Sequence, residues 1–219
     1  MQRKHLSVDT GTLLEHYREL LETADALPLE ITGSSMTPFL IPGRDSVLLT
    51  KPAAPLRPGD IVSIDTGCKI DGFNGDNACT YACGKIDLEA QRLLDVTKEG
   101  LHRGIEMARG GNRVGDIGHA VQSYVEENGF SVVRRELHED PEVPNFGNAG
   151  RGPRLVPGMC IAIEPMVCQY KYAVKTLKDG WTVKTCDGGL AAHFEHTMAI
   201  TAGGAEVLTY GWEEPGWTL

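Results

Sequence analysis

The amino-acid sequence predicts an α+β fold with a short helix-plus-β appendage on its N-terminal side. Three observations carry that expectation. Two amphipathic helices occupy the middle of the chain. Short runs rich in β-branched residues, separated by glycine and proline, flank them on both sides. The most proline-rich stretch, "KPAAPLRPGD" at residues 51–60, reads as a loop or boundary. It separates a segment of residues 1–57 from a domain of residues 58–219.

Each element has a local reason. "TGTLLEHYRELLETA" places Leu13, Leu14, Tyr17, Leu20 and Leu21 on one helical face, with Asp9 or Thr10 available as a cap. "LPLEIT" and "SVLLT" are short strand candidates, and strand signals resume at "IVSID" and "ACTYA". A long helix follows Asp87, with Ala90, Leu93, Leu94, Leu101, Ile105 and Ala108 inward. In a second helix Ile117, Ala120, Val121, Tyr124 and Val125 face inward, and Gly129 stops it. "FSVV", "MCIAIEPMV", "WTVKT" and "FEHTMAI" read as strands between glycine- and proline-rich loops.

Composition narrows the classes. The net charge of -9 with no basic stripe argues against a nucleic-acid partner. No apolar run approaches the ~20 residues that span a bilayer, and the start "MQRKHLSVDTG" lacks an apolar signal core. A cytoplasmic protein with no membrane partner is the expectation. The six cysteines are scattered rather than dense, which favours free thiols in a reducing compartment.

Four acids fall on segments that otherwise look buried. Asp65 ends "IVSID", Asp76 follows the turn "DGFNGD", Glu164 interrupts "CIAIEPMV", and Glu195 lies in "HFEHTMAI". A buried carboxylate without a partner costs several kcal/mol, so such acids are paired, protonated or bound to metal. Four together favour a cation site, because hard divalent ions take carboxylate oxygens. The Asp65–Asp76 spacing fits a strand, a turn and a return strand that bring both carboxylates to one point.

The stretches "DTGCKIDGFNGD", "LHEDPEVPNFG", "LVPGMCIAIEPMV" and "AAHFEHTMAIT" occur in that order. They resemble the consecutive motifs of type I methionine aminopeptidases over residues 57–214. The resemblance implies the pita-bread fold, incomplete here at its N-terminal side. It also implies two divalent metal ions (Mn, Co, Fe or Zn) and removal of N-terminal methionine from peptides or nascent chains, with the ribosome as a further partner. By resemblance Asp65 is a terminal ligand, Asp76 and Glu195 bridge both ions, and Glu164 holds the second ion and shuttles protons. His138 contacts the substrate and counts with Glu164 as catalytic.

Two departures from the family pattern matter. A metal-binding histidine, carried by a Gly-His-Gly-Ile-Gly type segment, has no counterpart where it would fall, between Arg134 and Arg135. The upstream helices and a His-Gly-Ile-Pro type segment are also not present. Four carboxylates without a nitrogen ligand favour hard ions such as Mn²⁺ over Zn²⁺, and impaired activity is the expectation. Other histidines are candidates for the gap. His119 reads as a helix-face residue, His193 and His196 bracket Glu195 and on a strand point away from or beside it, and His138 is close enough in sequence to slide inward.

Upstream, "ITGSSMTPFLIPGRDSVLL" is similar to the nucleophile region of type I signal peptidases over residues 28–62, with Ser35 at the nucleophile position. Lys51, Lys69 and Lys85 do not stand in that family's lysine context, and a serine without a base is a weak nucleophile. The leading reading is therefore a methionine aminopeptidase-type metallopeptidase. The alternatives are a pita-bread protein that binds peptides without cleaving them, and a serine endopeptidase using Ser35.

Overall fold

Asp87 begins a long helix as the sequence predicts. Its Oδ1 accepts the Ala90 N–H at 2.7 Å, filling one of the donors a helix start leaves open. The computed structural model describes residues 19–20, 26–30, 46–50, 56–70, 73–134, 141–178 and 183–209. Of the first expected helix this includes Glu19 and Leu20, both helical. Two units result from the chain's contacts: Met1–Leu56 with Cys68–Phe73, and Arg57–Gly67 with Asn74–Leu219.

In the first unit, β1 (Ala26–Glu30) pairs antiparallel with β2 (Ser46–Thr50), Leu27 opposite Leu49 and Leu29 opposite Val47. Apart from Cys68–Phe73, the second unit holds the rest of the described fold. Strands β3 (Ile61–Ile70) and β4 (Phe73–Ala82) form a two-stranded sheet. Helices α1 (Leu88–Met107) and α2 (Val114–Glu127) follow.

The two helices bury the faces their periodicity marks. Leu93, Leu101, Ile117, Val121 and Val125 are at most 1% exposed. The helices approach closely because glycines occur at the contact. A Cβ on Gly104 would lie 3.0 Å from Val121 and 3.2 Å from Ile163, while one on Gly118 would lie 2.3 Å from the Pro144 carbonyl oxygen. Gly118 thus lets the backbone of the 144–146 stretch lie directly on α2.

Strand β5 (Ser131–Val132) leads into the second half of the unit. The stretch read from the sequence as one strand, "MCIAIEPMV", is two: β6 (Cys160–Ile163) and β7 (Met166–Cys168). β8 (Val174–Thr176) and β9 (Val183–Thr185) form an antiparallel pair. Then β10 (Ala191–His193), β11 (His196–Ile200) and β12 (Ala205–Val207) complete the described strands.

Two three-stranded sheets follow, ordered β10-β7-β5 and β12-β11-β6. His193 stands opposite Met166 in one, and His196 opposite Ile163 in the other. Glu164–Pro165 and Phe194–Glu195 are therefore facing interruptions between two antiparallel ladders. Proline supplies no N–H to a ladder, so the break falls where the sequence contains Pro165. No helix among the described residues is long and apolar enough to cross a membrane. Cys79, Cys83, Cys160, Cys168 and Cys186 are free thiols.

Candidate metal centre

The interruption at Phe194–Glu195 releases Glu195 from its ladder, and its N–H donates instead to the Ala78 carbonyl of β4 at 2.8 Å. That bond draws β4 to the break. Two threonines reinforce the join. Thr197 Oγ1 accepts the Asp76 N–H at 2.7 Å and donates to the Asp76 carbonyl at 2.9 Å. Thr80 Oγ1 accepts the His193 N–H at 2.8 Å and donates to the His193 carbonyl at 2.9 Å. Ser63 of β3 lies 2.7 Å from the same Thr80 hydroxyl. With that proton already directed to His193, Ser63 is the donor of the pair.

Asp65, Asp76 and Glu195 are thereby gathered. One ligand oxygen from each lies within 4.8 Å of the others. A second group shares Glu195: oxygens of Glu164 and Glu195 and a ring nitrogen of His193 meet within the same 4.8 Å. Glu164 is held from behind, where buried Asn145 donates from Nδ2 to its carbonyl at 2.7 Å.

Burial differs from the sequence expectation at one position. Glu195 and Glu164 are buried and Asp76 is half-buried, but Asp65 is exposed. Its segment reads as apolar, yet Ser63, Ile64 and Asp65 all lie at the surface. Burial pushes the Glu195 carboxyl up to about 9, and the neighbouring charges of Glu164, Asp76 and Asp65 push in the same direction.

Three of the four candidate histidines lie among the described residues. His119 is exposed on α2. His196 is buried, with Nδ1 at 3.1 Å from Thr209 Oγ1. His193 is the residue sequence reasoning undervalued. Read inside an unbroken strand, it points beside or away from Glu195. The break turns it toward Glu164, with Nε2 3.5 Å from Oε2. Ser35 and His138 lie outside the described residues, as does Lys51. Lys85 is exposed in the turn before α1.

The donor set suits divalent ions. Among the described residues, Glu195 Oε1 is a buried carboxylate oxygen without a hydrogen-bond partner, at a residue 2% exposed. A buried acceptor left without a partner costs free energy that a bound cation would recover. Carboxylates with an imidazole are ligand types for Mn, Fe, Co and Zn.

Known proteins place this geometry in a family. The profile of metallopeptidase family M24 matches residues 18–202. Methionine aminopeptidase of Clostridium perfringens is 54% identical over 162 residues, covering 70% of this chain and 65% of that protein. Methionine aminopeptidase 1 of Bacillus subtilis is 51% identical with the same coverage. The chain thus spans slightly under two thirds of the length of these curated relatives.

Among solved structures, methionine aminopeptidase from Thermotoga maritima superposes with a TM-score of 0.68 at 47% identity, covering 71% of this chain and 66% of that one. A methionine aminopeptidase from Streptococci gives 0.68 at 31% identity, covering 96% of this chain and 88% of the other. The prolidase from Pyrococcus horikoshii OT3, at 21% identity and a TM-score of 0.56, shares the fold alone. On the sequence match and these superpositions together, the chain belongs to metallopeptidase family M24 and has the pita-bread fold.

Proposed function

We propose that this chain is a metal-dependent aminopeptidase that removes N-terminal methionine from peptides and nascent proteins. The observation that supports the reading best is the meeting of four separated acids, Asp65, Asp76, Glu164 and Glu195, in two ligand groups that share Glu195. The methionine aminopeptidases among its relatives support the choice of substrate. The activity is proposed for residues 58–219, which contain all four acids, with residues 1–57 as an appendage.

Two divalent ions fit the donor set. Asp65 would hold one, Asp76 and Glu195 both, and Glu164 the other. When bound, such ions supply Lewis acidity, polarising the scissile carbonyl and lowering the pKa of water. The residues of the chain do the rest. Glu164, whose carbonyl accepts from Asn145, would take a proton from the attacking water and return it to the leaving amine. His138 would contact the substrate, which carries a small residue after the methionine. The proposed source of substrate is the nascent chain at the ribosome, in the cytoplasm.

The test is release of methionine from a Met-Ala-Ser peptide by the full chain with added Mn²⁺, Co²⁺, Fe²⁺ or Zn²⁺. Turnover is expected, with Asp76→Ala and Glu195→Ala each lowering it by about 100-fold or more, because each removes a ligand shared by both ions. No release with any of the four ions would refute the reading.

A further inference from the structure

We propose that His193 is itself a metal ligand: its Nε2 joins one oxygen each of Glu164 and Glu195 in a mixed nitrogen–oxygen site for a divalent cation of borderline softness. This site is one half of the two-ion centre proposed above and rests on that reading.

The backbone of His193 is fixed before its side chain is considered. Its N–H and carbonyl both engage Thr80 Oγ1, and it stands opposite Met166 at the end of β10. From that fixed backbone the ring nitrogen lies within 4.8 Å of an oxygen of Glu164 and one of Glu195. There Nε2 is buried and has no hydrogen-bond partner among the described residues. Buried Glu195 Oε1, in the same cluster, also has none.

Direct pairing of imidazolium with Glu164 explains this poorly. The Nε2–Oε2 distance is 3.5 Å, whereas charge-assisted bonds of this kind fall near ~2.7–2.9 Å. Such a pairing would also leave Glu195 Oε1 unsatisfied. One cation among the three donors satisfies the nitrogen and both carboxylates together. His196, on the other side of Glu195, belongs to neither ligand group.

The consequence is a change in ion preference. Four carboxylates alone favour hard ions such as Mn²⁺, whereas an imidazole in the set shifts preference toward Zn²⁺, Co²⁺ and Fe²⁺.

The experiment titrates Zn²⁺ and Mn²⁺ into the full chain by calorimetry and records zinc K-edge X-ray absorption on the loaded protein. The same measurements are made on His193→Gln, which keeps a polar side chain of similar reach, and on Asp65→Ala. The unmodified chain is expected to bind two ions and to show imidazole scattering. His193→Gln should lose that scattering, weaken one of the two ions by about tenfold or more, and move the preference toward Mn²⁺. Asp65→Ala should weaken the other ion and keep the imidazole signal. Zinc bound without imidazole scattering in the unmodified chain would overturn the proposal. So would a His193→Gln protein that keeps the scattering or holds both ions within about twofold. In these cases the two-ion reading stands. An unmodified chain that binds no divalent ion would overturn both.

Discussion

Thr80 and Thr197 do with single hydroxyls what a strand ladder does elsewhere in the fold. Each closes a two-way bond onto the backbone of a residue of the proposed metal centre, Thr80 on His193 and Thr197 on Asp76. Thr197 is 5% exposed, so water cannot readily replace the bonds it makes. Thr197→Val keeps the shape and removes the hydroxyl, leaving the Asp76 N–H and carbonyl without this partner. The expected cost is about 1–3 kcal/mol in denaturant unfolding. Because Asp76 then loses its fixed position, affinity for a titrated divalent ion should fall as well. A variant equal to the unmodified chain in both measurements would show that the clamp contributes nothing.

At the scale of elements, α2 depends on one side chain at its start. Asp116 accepts the Arg113 N–H at 2.7 Å and the Gly150 N–H at 2.6 Å, tying the first turn to the loop that follows the Pro144–Phe146 stretch. These two backbone donors, Arg113 first, hold the Asp116 carboxyl below its ordinary value of 3.8. A depressed folded-state pKa contributes stability that is present above the unfolded value and lost as pH falls through the folded one. Asp116→Asn should therefore cost about 1 kcal/mol at neutral pH, in line with other helix-start bonds. The difference from the unmodified chain should vanish well below pH 3.8. Chemical denaturation at the two pH values checks this, and a gap that persists in acid would contradict it.

Both helices were legible in the sequence because periodicity and caps are local properties: Asp87, the inward leucines and Gly129 all sit where the pattern puts them. The breaks at Glu164–Pro165 and Phe194–Glu195 were only partly legible. Pro165 signals the first, but the second exists because β4 takes the Glu195 N–H, a partner more than a hundred residues away. Hence the four acids could be singled out as residues while the orientation of His193 could not. The short strands β8, β10 and β12, three residues each, are too brief to carry a periodic signal.

For the larger unit as a whole, the acids are a liability that a bound ion would convert into a stabilising contact. Residues from Asp65 to Glu195 bring like charges together in the larger unit, and Glu195 answers by favouring its protonated form. That carboxyl is raised, so its contribution to stability is present at low pH and lost as pH rises toward about 9. Ions that bind the folded state and not the unfolded chain stabilise by mass action, roughly 2.7 kcal/mol at a concentration 100 times the dissociation constant. For a chain of this size that corresponds to an increase in Tm of roughly 5–10 °C. Thermal unfolding of the full chain is expected to show such an increase between chelator and excess Zn²⁺ or Mn²⁺. The increase should grow as pH rises toward about 9, because the ion then has less often to displace a proton from Glu195. Glu195→Gln removes the shared ligand's charge, so it should raise the Tm in chelator and abolish most of the increase with ion. An unmodified chain whose Tm ignores both ions would mean that the repulsion is relieved by some other route and that the four carboxylates do not form a metal centre.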